Sequence, residues 1–158
     1  MIVRTGRLFF RVLGWLLGGS KTKRVVLDTN VLIAAAWNEG SASRRIVDAC
    51  LEGKKVRAVL SPALRREYEL IIKRAARKSR YRKSLERLIK KAEVVDCNAR
   101  AMGIEVPADP EDAKVLATAV AGKVDALVGN DHHLLDMAQS ASVPILRPRE
   151  FLRKNKTD

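Results

Sequence analysis

The chain has 158 residues, enough for one domain with a real core, and its hydrophobic fraction of 47% is that of a globular protein. Thirty-one Lys and Arg against 18 Asp and Glu leave a net charge of +13, which calls for an anionic partner: nucleic acid first, then a membrane surface or an acidic protein. Two cysteines, Cys50 and Cys97, exclude a disulfide scaffold and suit a reducing cytoplasm.

Residues 8–17 are apolar, with Arg4 and Arg7 before them. The run is too short for a transmembrane helix, and Arg11 interrupts it. It resembles a signal-peptide core, but no small-x-small cleavage site follows the run. An interfacial helix on anionic lipid is one reading of residues 1–20; a flexible extension, an oligomer contact and an early start codon are the others. Gly18-Gly19-Ser20-Lys21-Thr22-Lys23 reads as a linker, so residues 1–23 form an extension, 24–153 a domain and 154–158 a tail.

From Arg24 onward, strand and helix signals alternate. Val25-Val26-Leu27 is a run buried on both faces, the mark of a parallel strand, and it ends in Asp28. Residues 30–36 look helical. Ser41 or Ser43 caps a helix to about Glu52, which Gly53 ends, and Cys50 lies on its apolar stripe with Ile46, Val47 and Leu51. Residues 57–60 form a second strand. Ser61-Pro62 opens a helix with an apolar stripe at Leu64, Tyr68, Ile71, Ile72 and Ala75. Leu85, Leu88, Ile89 and Ala92 mark another helix, and 94–95 a short strand. Asp109-Pro110-Glu111-Asp112 opens a helix with core positions Ala113, Leu116, Ala117 and Val120, ending at Gly122. Residues 126–128 are a strand, 132–140 a helix, 144–146 a last strand and 147–153 a closing helix. The alternation predicts an α/β fold with a mainly parallel sheet and right-handed crossovers.

Four acids stand out by position. Asp28 and Asp131 each follow a buried strand, Asp112 lies in the first turn of a helix, and Glu67 is near an apolar stripe. Each has a plain structural reading: Asp131 as a helix cap, Asp112 as a helper to the cap at Asp109, and Glu67 as one more charge on a solvated face. Asp28 is hardest to explain so, because an acid gains little at the end of a hydrophobic strand. In a parallel sheet the residues just beyond strand ends gather at one edge, where ligands bind. Two carboxylates about 4 Å apart repel by roughly 4 kcal/mol at an effective dielectric near 20. A shared Mg²⁺ or Mn²⁺ removes that repulsion, takes oxygen ligands, and serves phosphodiester chemistry.

In that order and spacing, the motifs resemble the PIN domain. They are Val26-Leu27-Asp28-Thr29-Asn30-Val31-Leu32; Ser61-Pro62 with Glu67; Asp109-Pro110-Glu111-Asp112 with Ala117-Thr118-Ala119; and Ala126-Leu127-Val128-Gly129-Asn130-Asp131 with Leu134-Leu135. The resemblance covers Arg24 to Arg153 and is nearest to prokaryotic PIN proteins described as toxin components of toxin–antitoxin systems. It implies a three-layer α/β/α sandwich with a central parallel sheet of about five strands, metal-dependent ribonuclease activity and a homodimer. It also implies that Asp28, Glu67, Asp112 and Asp131 are catalytic acids and metal ligands, with Thr29, Asn30 and Asn130 in support. The chain departs from the family at Gly129-Asn130, where a hydroxyl residue and glycine are usual; the Asn130 amide is the available replacement. His132 and His133 lack helical i, i+4 spacing and read as surface residues.

Between Arg65 and Lys91 the sequence is overwhelmingly basic. Arg66, Lys73, Arg74, Arg77, Lys78 and Arg80 are candidates for contacts with RNA phosphates. The same surface suits an acidic antitoxin. Tyr68 and Tyr81 offer rings for base stacking, although spacing puts Tyr68 in the core. A non-catalytic RNA-binding module and a housekeeping RNA-processing nuclease are the alternatives to a toxin.

Overall fold

A computed structural model describes residues 21–97, 103, 110–139 and 141–155. The apolar segment at 1–20, the cap expected at Asp109, the helix end expected at Ser140 and the last residues of the tail lie outside the described residues. The described elements are β1 (Lys23–Leu27), α1 (Thr29–Trp37), α2 (Ala42–Glu52), β2 (Val56–Leu60), α3 (Pro62–Ala75), α4 (Arg82–Lys91), β3 (Glu93–Val94), α5 (Pro110–Ala121), β4 (Ala126–Val128), α6 (His132–Asp136), β5 (Ile145–Leu146) and α7 (Pro148–Lys154).

The five strands form one parallel sheet in the order β3-β2-β1-β4-β5, with helices packed on it as an α/β/α sandwich. Val25, Val26 and Leu27 of β1 and Leu127 and Val128 of β4 are wholly buried, as their uninterrupted apolar runs require. Chain order moves from β1 out through β2 to β3, then returns to place β4 on the other side of β1. The reversal falls between β1 and β4. The connections leaving those two strands diverge there, and open α/β sheets bind ligands at such a point.

Local signals behave as their chemistry dictates. The Ser41 hydroxyl accepts from Arg44 N–H and that of Ser61 from Leu64 N–H. Gly53 closes α2 at φ 72°, a conformation open to glycine. Some boundaries shift. β1 starts at Lys23 and β2 at Val56, while β3 is 93–94 rather than 94–95. The helix expected at 132–140 is α-helical only to Asp136, because Met137 and Ala138 donate to carbonyls three residues back and tighten the turn. Among the described residues, no helix is long and apolar enough to cross a membrane.

Candidate active site

Asp28 is the first residue beyond β1. Its N–H still donates to Val128 C=O at 2.8 Å, so the sheet ladder holds its backbone. Its Oδ1 accepts from Thr29 N–H at 2.8 Å and starts α1. The side chain is buried, with Oδ2 shielded from solvent. Gly129, the first residue beyond β4, lies against it: a Cβ at 129 would sit 3.0 Å from Asp28 Cβ and 3.5 Å from Oδ2. The close approach of the two strand ends therefore depends on the missing side chain.

Glu67 arrives on α3. Leu64, Tyr68 and Ile72 form the buried stripe of that helix, and the Tyr68 hydroxyl donates to Leu27 C=O. That bond ties α3 to the last residue of β1. Burial holds the Tyr68 hydroxyl well above its ordinary pKa, and the nearby Asp28 and Glu67 carboxylates add to the shift. Both acids therefore lie close enough to act on one phenol. Glu67 is half-buried, with Oε2 shielded from solvent.

Asp112 is brought to the same edge by the direction of α5. The far end of α5 lies beside the start of β1, where Arg24 Nη1 donates to Gly122 C=O at 2.5 Å. From Gly122 back to Asp112 is about 15 Å of helix at 1.5 Å per residue, and from Arg24 forward to Asp28 is about 13 Å of strand at 3.3 Å per residue. The two lengths match, so Asp112 and Asp28 finish at the same end of the sheet. A buried 2.7 Å bond between Ser61 Oγ and Thr118 Oγ1 locks α5 to the start of α3. Asp112 is 5% exposed, again with one oxygen shielded.

Asp131 is half-buried and caps α6 by accepting from His133 N–H at 2.8 Å. His132 is exposed and His133 half-buried. Their ring nitrogens come within 4.8 Å of an Asp131 oxygen and of each other, so they stand within ligating reach as well as at the surface. Thr29 is half-buried, and Asn30 and Asn130 are exposed. Neither asparagine side chain hydrogen-bonds within the described residues.

Sequence reasoning missed three things here: the space that Gly129 leaves for Asp28, the Tyr68 anchor and the Ser61–Thr118 link. For Tyr68 a signal existed, since a lone tyrosine in an aliphatic stripe must find a partner for its hydroxyl. The other two needed the packing of distant elements. A groove of about 460 Å³, lined by Cys50, Gly53, Arg57, Leu88, Lys91 and Glu93, opens away from the ends of β1 and β4 and has no part in the acid group.

Arg66, Lys73, Arg74, Arg77, Lys78 and Arg80 are all exposed. Arg66 adjoins Glu67, whereas Lys73 and Arg74 occupy the last turn of α3, and Arg77, Lys78 and Arg80 follow it. The basic run therefore begins at the acids and leads away from them. Tyr68 is buried, as its spacing requires. Tyr81 is not open for stacking either: its hydroxyl donates to Asp48, and the Arg44 guanidinium covers its ring at 3.7 Å.

The acid group offers oxygen donors from three elements, and three of those oxygens are already withdrawn from water. That set fits a hard divalent cation and not a soft one.

The sequence profile of the PIN domain matches residues 24–133. No curated protein matches the chain. Solved structures share its fold, VapBC2 and PAE2754 among them. VapBC2 from Rickettsia felis, solved bound to a DNA fragment from their promoter, is 13% identical with a TM-score of 0.54, covering 78% of this chain and 98% of that one. PAE2754 from Pyrobaculum aerophilum is 14% identical with a TM-score of 0.52, covering 84% of this chain and 88% of that one. The likeness to these two is one of fold. With the profile spanning most of its length and the parallel sheet matching that fold, the chain belongs to the PIN domain family.

Proposed function

We propose that this chain is a divalent-metal-dependent endoribonuclease that hydrolyses RNA phosphodiester bonds in the cytoplasm, as the toxin of a type II toxin–antitoxin pair. One observation carries the reading: carboxylate oxygens on three separate elements are buried at one sheet edge of a chain with net charge +13. A cation shared by such acids offsets the cost of burying their charge. Asp28, Glu67, Asp112 and Asp131 would hold Mg²⁺ or Mn²⁺. When bound, such an ion supplies a water of lowered pKa and charge neutralisation at the phosphodiester.

The chain's own residues do the rest. The β4 ladder and the α1 cap fix Asp28 before substrate arrives. Tyr68 holds the end of β1 against α3, which keeps Glu67 in register with Asp28. Arg66 and the bases beyond it neutralise the RNA backbone without reading its sequence. The fold shared with VapBC2 supports an antitoxin partner, and the basic surface suits an acidic one. A homodimer fits the same reading.

The test is Asp28→Asn. Cleavage of single-stranded RNA in Mg²⁺ or Mn²⁺ should disappear while the circular dichroism spectrum is kept; retained cleavage sinks the assignment. Calorimetric titration of the wild-type chain with Mn²⁺ separates this reading from a non-catalytic RNA-binding module, for which no heat of binding is expected.

A further inference from the structure

Trp37 is the largest exposed apolar side chain among the described residues, at 57% exposure. It is not a loose surface residue. Its indole N–H donates to Ala75 C=O at 2.7 Å, which fixes the ring beside the last turn of α3. The loop after α3 is tied to the same place, because Ser79 Oγ donates to Ala36 C=O at 2.7 Å. Lys73, Arg74, Arg77, Lys78 and Arg80 thus flank in sequence the two points, Ala75 and Ser79, that are tied to the end of α1, and none of them pairs with an acid among the described residues. Glu39 is the nearest acid along the chain, two residues on.

The direction of the helices gives this patch a relation to the acids. Asp28 stands at the start of α1 and Trp37 at its end. Glu67 lies in the first half of α3, and the Ala75 carbonyl that holds the indole is at its end. Either path is about 12–14 Å at 1.5 Å per residue. That is roughly three or four nucleotides of stacked single strand at 3.4 Å each, and fewer of an extended one. A fixed aromatic face on a strongly basic segment is how proteins hold single-stranded nucleic acid without reading it.

We infer that Trp37 is a stacking platform for a base of single-stranded RNA a few nucleotides from the cleaved bond, with Lys73, Arg74, Arg77, Lys78 and Arg80 on the phosphates beside it. The inference rests on the nuclease reading for its substrate class. It adds a second contact point, remote from the acids, that sets which way the strand lies. Trp37 is a positioning residue and touches no reacting atom.

The experiment measures binding, not cleavage. The full chain is titrated against a fluorescein-labelled oligoadenylate of about ten nucleotides, with divalent metal chelated. Trp37→Ala should weaken binding about fivefold or more, and Trp37→Phe should recover most of it, since phenylalanine keeps a stacking face. In cleavage assays Trp37→Ala should raise KM and leave kcat near the wild-type value. Unchanged affinity in Trp37→Ala overturns the inference. So does equal loss in both variants, which would trace the effect to the Ala75 hydrogen bond. So does loss of binding to a polyglutamate peptide with RNA affinity intact, which would make the patch a protein-docking surface. A chain that binds RNA through Trp37 but never cleaves it overturns the nuclease reading alone. A chain that cleaves RNA equally well without Trp37 overturns this one alone.

Discussion

Gly129 and Asp28 are in contact across the gap between β4 and β1, with room for no atom between them: a Cβ on residue 129 would come within 3.0 Å of the Asp28 Cβ. The neighbour is the base of a side chain held by its own backbone, so it has little freedom to yield. Gly129→Ala should cost about 1–3 kcal/mol by overpacking and should displace the Asp28 carboxylate. Denaturant unfolding measures the first effect and Mn²⁺ titration the second. The φ at 129 is not in the left-handed region, so the penalty belongs to contact and not to backbone strain. Unaltered stability and metal affinity in the variant would show that the strand ends can part without cost.

Asp28→Asn should separate function from folding. Asparagine caps a helix as well as aspartate does, so the start of α1 survives the change. With metal chelated, one negative charge is gone from a buried acidic group, and thermal unfolding should occur at the same temperature or higher. A clear drop in melting temperature would mean that the Asp28 charge is stabilising even without metal.

Tyr68→Phe removes only the hydroxyl that meets Leu27 C=O. The site is buried, so a carbonyl deprived of its donor should cost about 1–3 kcal/mol. Because that bond also joins α3 to β1, Mn²⁺ affinity should fall along with stability. Loss of stability with intact metal affinity would show that Glu67 does not depend on this anchor.

Cys50 gives a prediction in pH. Burial pushes its thiol from 9.0 up to about 12. The folded chain thus keeps a proton that the unfolded chain releases near 9.0. The resulting contribution to stability is complete below that pH and fades as pH rises toward 12. Unfolding curves of wild type and Cys50→Ala should therefore converge between pH 9 and 12. At neutral pH a maleimide should modify half-buried Cys97 first and reach buried Cys50 only on unfolding.

The basic run should show itself in salt. Neutralising Arg74, Arg77 or Lys78 singly to Gln should weaken RNA binding at low salt. Each phosphate left without its cation should also reduce the slope of log affinity against log salt by about 0.7. An unchanged slope for all three would place the strand elsewhere.

Most of the fold was legible because its signals are local. Val25-Val26-Leu27 has to be a strand buried on both faces, Ser61-Pro62 has to open a helix, and Gly53 has to close one, whatever packs around them. The errors lie where a boundary depends on a neighbour. β3 is set by pairing with Val59 and Leu60, and the early end of α6 by a tightening turn at Met137.

The acids were only partly legible. Asp28 announced itself by ending an apolar strand, and Glu67, Asp112 and Asp131 by their places near an apolar stripe, in a first helical turn and after a buried strand, whereas their roles came only from the resemblance to the PIN domain. A run of Lys and Arg looks like one patch in sequence, whereas α3 carries it from Glu67 to Trp37 over more than two turns.

By itself the sequence determined the alternation of strands and helices, the net charge and the identity of the acids at strand and helix ends, because each depends on composition or on residues within a turn of one another. Only the tertiary structure decided the strand order that puts β4 beside β1, the space at Gly129 that Asp28 occupies, and the hydrogen bond that turns Trp37 from a surface residue into a fixed one. Each of these joins residues distant in the chain, and no local pattern specifies which distant surfaces will meet.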